Sequence, residues 1–258
     1  MKFKSLRFQR RGAVGILLLD RPQKRNALSD AMVEEIDACV AAIPAGVKAL
    51  VLHGAGEHFC AGLDLAELSD RSAAEGAAHS RGWHRVFDRI QFGRVPVVAV
   101  MHGAVVGGGL ELAGTAHIRV AEQGAFYALP EGQRGIFVGG GASVRLPRLI
   151  GAARVADMMF TGRVYSAEEG QAAGISTYLV PEGKGLAKGI ELAGRIAGNA
   201  PATNFALMHA LPRIAELGQD AGLLMESLMA GIAQSEPEAK RRVKDFLEKR
   251  AAKVAHKG

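Results

Sequence analysis

Short apolar runs separated by turn signals open the chain. Val14-Gly15-Ile16-Leu17-Leu18-Leu19 reads as a buried strand, closed by the turn-forming Asp20-Arg21-Pro22. Ser29 can cap the helix that follows, with Asp30 favourably placed in its first turn. Val33, Ile36, Val40 and Ile43 then recur at helical spacing, and Pro44 and Gly46 end the element. Further strands are predicted at residues 49–53, 97–100, 118–121 and 125–128. Strand, helix and strand in succession argue for an α/β core. From about residue 186 the pattern becomes wholly helical: Leu192, Ile196 and Ala197 mark one helix, and residues 205–217 a second, with Pro212 as a kink near its middle. Residues 223–233 give a third and 239–252 a fourth. The change of period divides the chain into an α/β core over residues 1–190 and a C-terminal helical region over residues 191–258. No internal repeat or low-complexity linker is visible.

Of the 258 residues, 48% are hydrophobic and 22% charged, an ordinary balance for a globular protein with a full core, which excludes a disordered chain. Cys39 and Cys60 are too few for a disulfide framework or a zinc site and fit a reducing cytoplasm. Basic residues precede the apolar stretch at 13–19, but that stretch is short, and no small-residue cleavage site separates it from Asp20-Arg21. No segment has the length of a membrane span, so the expected location is cytoplasmic, with no membrane partner. The net charge of +6 is concentrated: from Pro237 onward Lys240, Arg241, Arg242, Lys244, Lys249, Arg250, Lys253 and Lys257 face only Glu238, Asp245 and Glu248. Such a tail is a solvated helix face, a site for the phosphates of a cofactor-like substrate, or a nucleic-acid surface. Few aromatics interleave with these charges, so base stacking is poorly supported and a nucleic-acid partner is not expected.

Two glycine runs carry the candidate chemistry, Gly107-Gly108-Gly109 and Gly139-Gly140-Gly141. Reading G-x-G-x-x-G from either run puts Leu112 or Val144 at the last position, which excludes a dinucleotide loop, and no phosphate-binding G-x-x-x-x-G-K-[ST] loop is present. Glycines just before the helical run at Leu110 allow either tight backbone packing or close approach of a group that the free amides can stabilise. Glu111 lies in a helix start of small and apolar residues, where a solvated carboxylate is out of place. Glu131 ends an apolar strand at Pro130-Glu131-Gly132, ahead of the second glycine run. Two carboxylates in such settings suggest paired acid and base roles, tuned toward neutral pH by burial. Gly108 is one candidate amide donor to a developing oxyanion, and the loop Phe59-Cys60-Ala61-Gly62-Leu63-Asp64 is the best source of a second.

Taken together, the segments Asp20-Arg21-Pro22 with Asn26-Ala27-Leu28-Ser29, Phe59-Cys60-Ala61-Gly62-Leu63-Asp64-Leu65, Gly107-Gly108-Gly109-Leu110-Glu111-Leu112-Ala113, and Pro130-Glu131 followed by Gly135-Ile136 and the second glycine run resemble the crotonase (enoyl-CoA hydratase/isomerase) superfamily over nearly the whole chain. The ending Asp245-Phe246-Leu247-Glu248-Lys249-Arg250 is similar as well. The resemblance implies a spiral of ββα units and C-terminal helices that build a homotrimer or a dimer of trimers. It implies an acyl-CoA thioester substrate, with CoA part of that substrate, no separate cofactor and no metal. The thioester oxygen would bind between the amides of Ala61 and Gly108, with Ala61, Gly62, Leu63 and Asp64 along the adenine and pantetheine. Lys24, Arg25 and the basic tail would meet CoA phosphates beside Ala27, and Trp83, Phe87 and Phe137 would line the acyl pocket. By the same analogy Glu111 is the base on water and Glu131 the acid toward C2, so the activity expected is enoyl-CoA hydratase. The alternatives are an isomerase or hydratase-lyase acting on an aromatic or carnitine-like acyl-CoA, and a nucleic-acid-binding protein on a crotonase scaffold. Val138 and Gly132 depart from the family pattern near the second glutamate, as do His102 and His117, which are read as structural.

Overall fold

The computed structural model describes residues 3–67, 71–248 and 250. In chain order its strands are Leu6–Arg11 (β1), Val14–Leu19 (β2), Ala49–Gly54 (β3), Val97–Met101 (β4), Ala104–Val106 (β5), Ile118–Glu122 (β6), Phe126–Ala128 (β7), Tyr165–Ser166 (β8) and Tyr178–Val180 (β9). The helices are Asp30–Ala41 (α1), Ala73–Gln91 (α2), Gly108–Ala113 (α3), Ala142–Ile150 (α4), Ala152–Thr161 (α5), Ala167–Ala173 (α6) and Gly185–Ala197 (α7), then Pro201–Phe205 (α8), Leu211–Ile214 (α9), Gln219–Ser235 (α10) and Pro237–Leu247 (α11).

The larger sheet has the order β1-β2-β3-β4-β6-β9; β1 pairs antiparallel with β2 and the other neighbours are parallel. Its central strands are apolar at nearly every position because both faces are covered, as parallel sheets require. Alternate residues serve alternate faces. Val14, Ile16, Ala49, Val51, Val98 and Val100 meet Leu192, Ala193 and Ala197 of α7. Leu17, Leu19, Leu50, Leu52, Ala99 and Met101 join the opposite core with Met32 and Ile36 of α1 and Phe87 and Ile90 of α2. A second sheet, β5-β7-β8, carries the chain past the first glycine run and up to Glu131.

The expected α/β core is present, and each strand read from the sequence is found within a residue or two. The structure adds β1, whose outward basic residues suit an edge strand, and α2, opened by a reciprocal Ser72–Glu75 capping box. The chain divides into compact units at Met1–Ala197 and Gly198–Gly258, so the division expected at 190/191 falls inside α7. Within the second unit, the single kinked helix expected at 205–217 is instead α8, a π-turn at Ala206–Ala210 and α9. Pro212 explains the widening: it lacks an N–H and its ring crowds the carbonyl four residues earlier, so the turn before it loosens. The fourth helix, expected at 239–252, is α11, ending at Leu247; residues 251–252 lie outside the described residues.

Candidate active site

Glu111 belongs to α3, a six-residue helix in which every residue is buried. Its own amide donates to Gly107 O at 3.0 Å. Its carboxylate Oε1 accepts two main-chain hydrogen bonds, from Gly140 N at 2.8 Å and Ala142 N at 3.0 Å, while no donor to Oε2 is found among the described residues. Burial raises its pKa, opposed by these two amides and by the nearby charges of His84 and Arg145. The second glycine run is therefore a cradle for this acid. A Cβ on Gly140 would stand 2.8 Å from Glu111 Oε2 and 2.9 Å from Phe87 Cε2, so only glycine lets the loop close on the carboxylate.

Glu131 arrives from the other side, where β7 runs out through Leu129 and Pro130. It is buried, and its Oε2 has no hydrogen-bond partner among the described residues. Burial first, and then the charge of Glu111, pushes its carboxyl up to about 6, against the opposing influence of its own amide and of Arg134. A Cβ at Gly107 would lie 2.7 Å from Glu131 Oε1. Gly107 thus leaves the space that one carboxyl occupies and receives the amide of the other acid's residue at its carbonyl; its φ of 51° with ψ of −122° also demands glycine. The side chain of Glu131 and the main chain of Glu111 meet at this residue, and the two carboxyls are close enough that the charge of Glu111 raises Glu131.

The amide donors differ from those expected. Ala61 N–H donates to Arg25 O at 3.0 Å, so it does not face the site and Ala61 is not an oxyanion donor in this structure. The reason is local pairing: Leu28 and Leu63 form a parallel bridge in which Leu28 N donates to Gly62 O and Asp64 N to Leu28 O. Leu63 N is thereby turned to the opposite side. It makes no hydrogen bond among the described residues, and neither does Gly108 N. These two amides are neighbours, since a Cβ on Gly108 would be 3.5 Å from Leu63 N. Leu63 N and Gly108 N, with Glu111 and Glu131 nearby, make a pair of free donors beside a pair of buried acids.

The remaining predicted residues separate into two groups. Ala27 is buried, and its carbonyl takes Arg21 Nη1 at 2.7 Å. Asp64 is also buried and is a structural partner rather than an open contact: it pairs with Arg21 Nη2 at 2.8 Å, which holds its carboxyl below the usual range, and it accepts Ala66 N. Lys24 and Arg25 are exposed on the turn that follows Pro22. Arg25 and Asn26 are left-handed there, fixed by the buried Asn26 side chain, which bonds Arg21 N, Ala55 O and His58 O. Trp83 stands with its Cζ3 3.3 Å from a Cβ on Gly108 and its Nε1 bonded to Asp30 at 3.1 Å. Phe87 backs Gly140. Phe137, by contrast, is 69% exposed in an outward run at 132–137, so it does not line an enclosed acyl pocket in this chain. Gly132 has its own reason: a Cβ would strike Met159 O of α5 at 2.1 Å. His102 and His117 bond main-chain groups, Gly56 O for the first, Val97 N and Gln91 O for the second, as expected of structural histidines.

Sequence reasoning missed Leu63 N because a main-chain amide leaves no mark in residue identity. It also missed Arg145, which looks like an outward basic residue of α4 yet is buried, and Ser80, whose Oγ donates to Gly139 O at 2.6 Å. A separate apolar groove of about 530 Å³, lined by Leu6, Phe8, Cys39 and Pro44 among others, contains neither acid.

The chain is similar to known proteins over nearly its whole length. Residues 9–257 match the model of the enoyl-CoA hydratase/isomerase family. The short-chain-enoyl-CoA hydratase of Clostridium acetobutylicum is 30% identical over 253 residues, 97% of each chain. A mevalonyl-coenzyme A hydratase of Beauveria bassiana is 36% identical over 199 residues, covering 72% of this chain and 70% of its own. A crystal structure from Rhodopseudomonas palustris, named provisionally as an enoyl-CoA hydratase, superposes with a TM-score of 0.93 at 59% identity and 97% coverage of both chains.

Proposed function

From this chain's membership of the enoyl-CoA hydratase/isomerase family we propose that it adds water reversibly across the 2,3 double bond of a 2-enoyl-CoA thioester, with Glu111 as base, Glu131 as acid, and Leu63 N and Gly108 N as donors to the thioester oxygen. The observation that carries the reading is a pair of buried acids, close enough for the charge of Glu111 to raise Glu131, together with the unbonded amides of Leu63 and Gly108.

In the hydration direction Glu111 takes a proton from water as its oxygen bonds to C3. The π electrons move onto the thioester oxygen, where the two amides stabilise the negative charge. Collapse of that enolate draws a proton from Glu131 to C2. The proton then held by Glu111 and the one lost by Glu131 are restored by exchange with solvent when product leaves. A carboxyl near neutrality suits this task, since it can hold a proton before the step and release it during the step. CoA enters as part of the substrate; Lys24 and Arg25 are exposed cations suited to its phosphates. The assembly is proposed to be a homotrimer or a dimer of trimers, supported by the apolar ridge on α10, where Leu224, Leu228 and Ile232 are each more than half exposed.

Two variants test the chemistry. Glu111→Gln should reduce hydration of a short 2-enoyl-CoA by at least about 100-fold while leaving binding of the saturated acyl-CoA within about twofold. Near-normal turnover in that variant would remove Glu111 as base. Glu131→Gln should stop incorporation of solvent deuterium at C2, and undiminished incorporation, read by mass spectrometry, would remove Glu131 as acid.

A further inference from the structure

Beneath the second glycine run lies a buried cation that the hydration step does not use directly. Arg145 of α4 is 8% exposed, yet every nitrogen of its guanidinium has an acceptor: Nε donates to Gln91 Oε1 at 2.7 Å, Nη1 to Gly140 O at 3.0 Å and Nη2 to Asp88 Oδ1 at 2.5 Å. Asp88 and Gln91 belong to α2, so the guanidinium is held by one element and grips the loop of another. A buried cation is retained at a cost that these bonds must offset. Gly140 presents its carbonyl to Arg145 and its N–H to Glu111 Oε1; Ala142, two residues on, gives the second N–H to the same oxygen. Gly141 lies between them with φ of 102°, and a Cβ there would be 2.2 Å from Arg145 Nη1. The guanidinium thus occupies the space any side chain at 141 would need. Residues 140–142 are sandwiched between the acid on one side and the cation on the other.

We propose that Arg145 is a positioning residue for Glu111, clamping the Gly140 peptide so that its N–H and that of Ala142 aim the carboxylate at water. The proposal rests on the reading of Glu111 as base. Arg145 acts through the loop and not by touching substrate. The titratable and charged groups that bear on Glu111 are His84 from α2, Arg145 from α4 and Glu131 from the loop after β7. Loss of the cation removes one influence that favours the ionised base.

The test compares Arg145→Gln and Arg145→Lys with the wild type, using a short 2-enoyl-CoA for turnover, the saturated acyl-CoA for binding, and thermal unfolding for integrity. Arg145→Gln should lower kcat by roughly 10- to 100-fold, with KM and saturated-ester binding within about twofold. The acidic limb of kcat against pH should move upward. Arg145→Lys, which keeps the charge but not the planar fork, should recover part of kcat and most of the limb position. A purely structural role would instead lower stability with kcat and the limb unchanged in the folded fraction, and that result overturns the proposal, as does a change confined to KM. If Arg145→Gln fails to unfold cooperatively, Asp88→Asn carries the test, since it loosens the guanidinium from its outer side. A fall in kcat of about threefold at constant KM supports the clamp, and unchanged kcat refutes it. The two readings fail separately: an active Glu111→Gln enzyme sinks the assignment of the base, whereas an inactive Glu111→Gln beside a fully active Arg145→Gln sinks only the clamp.

Discussion

Glu131 binds a proton more tightly in the folded chain than a free carboxyl does, because burial and Glu111 both disfavour its charge. That has a cost visible in stability. Between the ordinary value of 4.5 and about 6 the folded state holds a proton that the unfolded state has released. The favourable contribution is complete below the lower value and is lost as pH rises through the upper one. The interval corresponds to about 2 kcal/mol. Glu131→Gln carries no such penalty, so the variant should gain about 2 kcal/mol on the wild type between about pH 4 and pH 7.5, measured by denaturant unfolding at each pH. A difference flat across that range would mean that Glu131 is solvated and its Oε2 not isolated. The two acids were legible in the sequence because glutamates amid glycine and apolar residues contradict the usual surface setting of that side chain. The donor at Leu63 was not, because only the bridge to Leu28 determines which way each amide of that loop points.

At the scale of elements, the second glycine run shows how neighbouring identical residues carry different constraints. Gly140 has Glu111 and Phe87 against its Cα, whereas a Cβ on Gly139 would reach only Ser80, at 3.8 Å. Gly140→Ala should therefore displace the carboxylate from its amides, lowering kcat at least about tenfold and costing roughly 1–3 kcal/mol in stability. Gly139→Ala should be close to neutral in both, as ordinary van der Waals contact predicts. Parallel kinetics and melting curves on the two variants decide it, and equal losses would show that the run is merely a flexible turn. The parallel strands were readable as apolar runs, since burial on both faces removes the polar alternation. Helix α2 was only half readable: Trp83, Val86, Phe87 and Ile90 form an apolar stripe at helical spacing, but its first half is alanine, glycine, histidine and charge, and its contact with both glycine runs is a tertiary fact. That contact delivers Ser80, Trp83 and Phe87 to the site.

Over the whole molecule, charge and apolar surface point to different partners from those net composition suggests. The basic tail is largely self-paired where it is described: Arg241 and Arg242 both engage Glu238, and Arg250 engages Asp245. Lys249, Lys253 and Lys257 lie outside the described residues. Internal pairing of this kind supports the reading of a solvated helix face over a nucleic-acid surface. The apolar surface is less easily dismissed. Leu224, Leu228 and Ile232 recur every four residues along α10 and form one exposed ridge, with Leu223 beside it. The sequence pattern predicted the helix but not which of its leucines remain uncovered, since that depends on how much of the stripe its own unit can bury. A ridge of this length in water invites a second copy of the chain. Leu224→Glu with Leu228→Glu places charge where the proposed trimer contact would be dry, and burying unpaired carboxylates there is costly. The double variant should run as a monomer by light scattering coupled to gel filtration, with helical content by circular dichroism unchanged. An unaltered oligomeric mass would show that this ridge is not the assembly surface, and a wild-type chain that is itself monomeric would remove the trimer from the proposal altogether.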